Sequence, residues 1–111
     1  MRIQALPASQ ICISSISYFE LVYGMALMPR PQALEQYSLS LRQRFDCIDL
    51  DLSSAQKAGE VRAHLRKLGT PIGEYDLLIA GIALARKLTV VTHNTREFSR
   101  VPGLQVEDWY A

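Results

Sequence analysis

The feature that most constrains this fold is a loop rich in glycine and proline that leads directly into an apolar helix. The loop runs from Gly69 to Gly73, Asp76 follows it, and the apolar run extends from Leu77 to Ala85. Glycine and proline end one element and begin the next. A helix that is apolar on nearly every side packs inside a domain, so this segment is predicted to be a central buried helix.

The composition predicts one globular domain spanning residues 1–111. The chain has 111 residues, of which 49% are hydrophobic, enough for a substantial core. No apolar run reaches the 18 residues of a membrane span, and the N-terminal residues lack the apolar segment of a signal peptide. A cytoplasmic protein without membrane contact is therefore expected. A net charge of +1 indicates that any polyanion is attracted by local arginines.

The two cysteines, Cys12 and Cys47, lie in apolar segments and form no Cys-x-x-Cys pair. They are expected to be buried, reduced packing residues.

The predicted elements alternate in the order strand, two helices, strand, two helices, strand, strand. A buried strand is predicted at residues 11–15, and a Ser-x-x-Glu capping box at Ser17–Glu20 predicts the start of the first helix. Pro31 is predicted to begin the second helix, and Ser53 with Ser54 to cap the third, which Gly69 ends. Strands separated by helices imply parallel crossovers. The fold class is thus a three-layer α/β/α sandwich, with any polar site at the carboxyl ends of its strands.

Three oxygen-bearing side chains are the candidate site residues: Glu20 and Asn94, which come after predicted strands, and Asp76, at the start of its helix. Hard oxygen ligands without cysteine or paired histidine suit Mg²⁺ or Mn²⁺. Such ions hold phosphate oxygens and activate water, which indicates phosphodiester hydrolysis.

Each candidate also has a purely structural explanation. Glu20 fits a capping box, Asp76 is stabilised by the dipole of a helix first turn, and Asn94 fits a turn after a strand. The other acidic and histidine residues considered are expected to be surface or supporting groups; they are Asp49, Asp51, Glu60, His64, His93 and Glu97. Phosphate-loop, dinucleotide-binding and serine-hydrolase motifs do not occur in the sequence.

Three sequence blocks resemble the PIN-domain toxins of the VapC family. They are SISYFELVYG at residues 15–24, GTPIGEYDLLIA at 69–80 and VTHNTREF at 91–98, and with the ending at 101–109 they cover essentially the whole chain. The resemblance implies a PIN-like domain and a metal-dependent endoribonuclease that cleaves RNA. It also implies the toxin half of a type II toxin–antitoxin pair, usually a homodimer inhibited by a small VapB-like antitoxin.

The resemblance also assigns roles to individual residues. Glu20 matches the family's second acid, Asp76 the third, and Asn94 the place where relatives bear Asp, Asn or Ser. These three are thereby implied as Mg²⁺ or Mn²⁺ ligands, with Asn94 an auxiliary ligand or orienter. Thr92 and Arg96 would border the site and orient the metal or the RNA phosphate.

The beginning of the chain departs from the family pattern. The family starts with a strand ending in Asp-Thr-Asn, whose aspartate is the first metal ligand, and no such segment precedes Ile3. Residues Ile3–Pro7 read instead as the end of a helix, so the first strand is expected to be missing. Either the start codon is assigned too late, or the chain is a truncated relative. The alternative function is a catalytically degenerate PIN domain that dimerises or binds antitoxin.

We therefore expect the 111-residue chain to cleave RNA much more weakly than a chain extended N-terminally to include that strand. Two carboxylates hold Mg²⁺ less tightly than three, because each contributes charge and an oxygen ligand. A magnesium-dependent RNA-cleavage assay on both chains measures this difference. Equal rates would contradict the expectation.

Overall fold

The computed structural model describes residues 11–29 and 31–109. The predicted helix end at Ile3–Pro7 lies outside these residues. The helices are α1 (Ser15–Ala26), α2 (Pro31–Arg44), α3 (Leu52–Leu68), α4 (Glu74–Arg86) and α5 (Thr95–Phe98). The strands are β1 (Cys12–Ser14), β2 (Asp46–Ile48), β3 (Thr89–Val91) and β4 (Gln105–Glu107).

Contacts divide the chain into two compact units, an N-terminal unit that ends at Asp49 and a C-terminal unit that begins at Leu50. The expectation of a single domain stays a prediction. Each unit has its own two-stranded parallel sheet, β1 with β2 and β3 with β4. Parallel neighbours need crossover connections, which α1 and α2 supply in the first unit and the α5 segment in the second. Parallel strands alternating with helices confirm the α/β class.

Helix α1 begins three residues earlier than the capping box predicts. The cap is Ser14, at the end of β1, whose side chain accepts a hydrogen bond of 2.9 Å from the Ser17 backbone N–H. Ser14 has an extended backbone, the conformation that an N-cap residue requires. The predicted cap at Ser17 is therefore wrong, and Glu20 lies in the second turn of α1.

Asp51, and not a serine, caps α3. Its carboxylate accepts a hydrogen bond of 2.9 Å from the Ser54 backbone N–H. Asp51 is exposed, as expected, but the predicted serine cap is wrong. The helix ends as predicted at Gly69, whose φ of 72° is the left-handed conformation that glycine adopts without strain.

The core of the C-terminal unit lies around α3 and α4. Its buried side chains include Val61 and Leu65 from α3, Leu77 and Ala80 from α4, and Phe98 from α5. The two long helices approach closely at Gly81, where an added Cβ would lie 2.5 Å from the Ser54 carbonyl oxygen. This contact holds the axis of α4, and with it the first turn that carries Asp76, against α3.

The exposure of the two cysteines and the length of the helices bear on two further expectations. Cys12 and Cys47 are both exposed, because the short sheet of β1 and β2 leaves them uncovered, so the predicted burial is wrong. Among the residues that the structure describes, no helix is both long and apolar enough to cross a membrane.

The close approach of α3 and α4 predicts opposite effects for two glycine substitutions. Gly81→Ala is expected to lower the free energy of unfolding by about 1–2 kcal/mol, because overpacking against backbone atoms outweighs the gain in helix propensity. Gly59→Ala, in α3, is the control, since nothing lies within 4 Å of its added Cβ. It should raise the free energy of unfolding by about 0.5–1 kcal/mol. Urea denaturation measures both, and stabilisation by both substitutions would contradict the close approach.

Candidate active site

The first turn of α4 places Asp76 as the sequence predicts. Gly73 caps the helix, and its carbonyl oxygen accepts a hydrogen bond of 3.0 Å from the Leu77 backbone N–H. The side chain of Ile72 is buried and anchors the preceding loop. Unpaired N–H groups at this helix end favour negative charge, so the half-buried carboxylate of Asp76 is stabilised there.

Asn94 is placed by the end of β3. The Thr92 backbone N–H donates to the Glu107 carbonyl oxygen at 3.0 Å and extends the ladder between β3 and β4. The Thr92 hydroxyl oxygen then accepts a hydrogen bond of 2.9 Å from the Asn94 backbone N–H. Phe98, which is 2% exposed, fixes the short helix α5 in the core. Thr92 therefore sets the direction of the backbone just before α5.

The side-chain amide of Asn94 connects two carboxylates. Its Nδ2 atom donates to Asp76 Oδ2 at 3.0 Å and to Glu97 Oε2 at 2.8 Å. Because carboxylates accept hydrogen bonds, the nitrogen and not the oxygen of the amide faces them. The structure thus brings Asp76 and Asn94 together across 18 residues of sequence, with Asn94 oriented as a hydrogen-bond donor.

Glu97 belongs to this cluster, although its place in the sequence predicts a surface charge. Both carboxylates face Gly73, where an added Cβ would lie 3.8 Å from Asp76 Oδ2 and 4.0 Å from Glu97 Oε2. Glu97 follows Asn94 by three residues, a spacing that puts two side chains on the same side of a helical turn. That spacing was the available indication that Glu97 accompanies Asn94.

The proximity of these groups changes the acidity of Glu97. A hydrogen bond from the Asp76 side chain lowers the pKa of Glu97, and the Asn94 amide lowers it further. Burial opposes these effects and raises the pKa, whereas the positive charge of Arg100 and the Gly73 backbone N–H lower it by smaller amounts. Two carboxylates this close titrate as a pair. When both are ionised they repel each other, and a bound cation would remove that repulsion.

Glu20, the third candidate, is exposed on α1 in the N-terminal unit. Because Ser14 caps α1, Glu20 is not the capping-box partner that its structural explanation required. Its approach to the other candidates stays a prediction. Within the described part of the chain, no three histidine, cysteine, aspartate or glutamate side chains form a group able to hold a metal ion.

Comparison of the chain with known proteins identifies the family to which it belongs. The model of the PIN domain matches residues 2–104. The tRNA(fMet)-specific endonuclease VapC of Salmonella typhimurium is 43% identical, over 94% of this chain and 79% of that protein. Ribonuclease VapC2 of Rickettsia felis is 37% identical, over 89% of this chain and 74% of that protein.

Solved structures agree with these relatives. The crystal structure of DNA-bound VapBC from Salmonella typhimurium matches with a TM-score of 0.84 and 44% identity, covering 88% of this chain and 74% of that chain. The chain therefore belongs to the VapC family of PIN-domain proteins. Both the resemblance stated from the sequence and the PIN-like fold are confirmed.

The hydrogen bonds that the Asn94 amide donates to Asp76 and Glu97 predict the direction of the pKa shift of Glu97. In the unsubstituted chain its carboxyl should titrate below the ordinary value of 4.5, and Asn94→Leu should raise its pKa by removing a hydrogen-bond donor. Carbon-13 NMR of the glutamate carboxyl carbons measures both. Gln105→Leu, which removes an amide from β4, is the control and should leave Glu97 unchanged.

The Asn94→Leu substitution should also alter how the free energy of unfolding depends on pH below neutrality. A lowered pKa in the folded state stabilises the protein above the ordinary value of 4.5, and this contribution is lost as the pH falls through the lower folded value. Asn94→Leu should therefore lose less stability than the unsubstituted chain on acidification through that range. Identical pH dependence in the two chains would contradict the role of the amide.

Proposed function

We propose that the chain is a divalent-metal-dependent endoribonuclease in which Asp76 and Glu97, with Glu20, supply the carboxylates for Mg²⁺ or Mn²⁺. The observation that carries the proposal is the pair of carboxylates joined by the Asn94 amide at the first turn of α4. It lies in a chain whose relatives are named ribonucleases and endonucleases. Asn94 is proposed as the residue that orients the two carboxylates.

The chemistry of the site residues fits such an ion. Carboxylate oxygens are the ligands that Mg²⁺ and Mn²⁺ prefer, and the two carboxylates repel each other unless a positive group lies between them. In this structure the partly positive N–H hydrogens of the Asn94 amide take that position. A cation of higher charge would satisfy the same oxygens more strongly.

When bound, the metal would hold a phosphate oxygen and lower the pKa of a water molecule that attacks the phosphodiester bond. The protein's own residues prepare the site for it. Gly73 caps the helix that carries Asp76, Thr92 fixes the backbone of Asn94, and the Asn94 amide holds both carboxylates in place. Arg96 is exposed in α5 and is proposed to contact an RNA phosphate.

The partners are proposed by analogy with the relatives. Solved structures similar to this chain are VapBC complexes, among them VapBC-1 from nontypeable Haemophilus influenzae, with a TM-score of 0.87 and 31% identity over 96% of this chain and 79% of that chain. We propose that this chain is likewise the toxin of a toxin–antitoxin pair and binds a small VapB-like antitoxin. The name of the Salmonella relative makes initiator tRNA the first RNA to test. The homodimer remains a prediction.

One observation favours the second candidate, a PIN domain that binds antitoxin without cleaving RNA. The described residues contain no group of three potential metal ligands, and two carboxylates bind Mg²⁺ weakly. Direct Mn²⁺ binding distinguishes the two functions, because a purely antitoxin-binding module has no need of the ion.

Conservative removal of single charges tests the proposed function. Asp76→Asn and Glu97→Gln should each reduce metal-dependent cleavage of initiator tRNA by more than about 100-fold, beyond the 10–100-fold effects typical of residues that only support ligands. Glu60→Gln removes an exposed carboxylate from α3 and is the matched control, expected to cleave at the unsubstituted rate. Cleavage that resists EDTA, or that survives both site substitutions, would overturn the proposal.

A further inference from the structure

Arg100 links the two segments that carry the site carboxylates. Its Nη1 atom donates a hydrogen bond of 2.8 Å to the Pro71 carbonyl oxygen, across 29 residues of sequence. Its backbone N–H donates to the Glu97 carbonyl oxygen at 3.1 Å. One residue therefore contacts both the turn that ends α5 and the loop that leads to Asp76.

The loop from Thr70 to Gly73 is held at its start by the Thr70 backbone N–H, which donates to the Leu65 carbonyl oxygen at 2.9 Å. Pro71 has no N–H to donate, and Gly73 caps α4 without a side-chain hydrogen bond. Ile72 buries its side chain and sets the depth of the loop. The hydrogen bond from Arg100 adds a restraint on the peptide that immediately precedes Ile72.

The guanidinium group suits this task for two reasons. It stays charged at every physiological pH, and a hydrogen bond from a charged donor is about twice as strong as one between neutral groups. Arg100 is half-buried, and its hydrogen bond to the Pro71 carbonyl lies at the surface. Asn94 joins the carboxylates directly, whereas Arg100 joins the backbones beneath them.

We propose that Arg100 is a positioning residue that sets the separation of the Asp76 and Glu97 carboxylates by tying the Pro71 carbonyl to the end of α5. Its importance for metal binding rests on the proposed function, since those carboxylates are the ones assigned to the ion. Its effect on the loop is a property of this chain that does not depend on that function.

The test compares Arg100→Gln, Arg100→Lys and the control Arg66→Gln, which removes an exposed arginine from the last turn of α3. Mn²⁺ affinity is measured by electron paramagnetic resonance, and amide hydrogen exchange is followed at Leu77, which donates to Gly73. Arg100→Gln should weaken Mn²⁺ binding by about 10–100-fold and speed Leu77 exchange. Arg100→Lys, which keeps a charged donor, should recover part of both, and Arg66→Gln should match the unsubstituted chain.

Exchange at Ala80, in the buried part of α4, separates a local effect from general unfolding. Unchanged Mn²⁺ affinity or unchanged Leu77 exchange in Arg100→Gln, with Ala80 protected, would overturn the proposal. If Arg100→Gln fails to fold, Arg100→Lys decides: intermediate Mn²⁺ affinity with Ala80 protected supports the proposal, and unsubstituted affinity overturns it.

If the chain is not a metal-dependent nuclease, the same experiment gives a different result. In that case the unsubstituted chain would neither bind Mn²⁺ nor cleave initiator tRNA. Leu77 exchange still decides the role of Arg100: faster exchange in Arg100→Gln than in Arg66→Gln supports positioning of the loop, and equal exchange overturns it.

Discussion

The contact between α3 and α4 is the constraint on which the C-terminal unit depends. Gly81 allows the backbones of the two helices to approach so closely that a single methyl group would meet the Ser54 carbonyl. Interiors packed at this density transmit small shifts to their neighbours. Because α4 carries Asp76 in its first turn, the position of that carboxylate is set by apolar packing against α3 as well as by the loop before it.

The candidate site joins α4 to the segment after β3 by polar contacts at the edge of that core. Asp76 and Glu97 come from different elements, and the Asn94 amide compensates part of their mutual repulsion. An arrangement of like charges stabilised by one neutral donor is ready to accept a cation. The proposed nuclease chemistry and the hydrogen bonding of the cluster are therefore two consequences of the same pair of carboxylates.

Much of the fold could be predicted because local patterns agree with it. The apolar run after Gly73 forms a buried helix, Gly69 ends α3 in the left-handed conformation, and the alternation of strands and helices yields parallel pairs. Helix starts were less predictable. Several residues that could cap the helix lie close together at the starts of α1 and α3. Ser14 and Asp51 are the caps because of where the preceding strand stops pairing.

The amino-acid sequence alone established the α/β class, the family, and the placement of Asp76 in the first turn of a helix and of Asn94 just beyond a strand. It could do so because periodicity and motif spacing are local properties. Only the tertiary structure brought Glu97 into the cluster, oriented the Asn94 amide as a donor and connected Arg100 to Pro71. The contacts of Asn94 with Asp76 and of Arg100 with Pro71 join residues from separate elements. Their distances depend on how β3, α4 and α5 pack around one core, and no local pattern encodes that geometry.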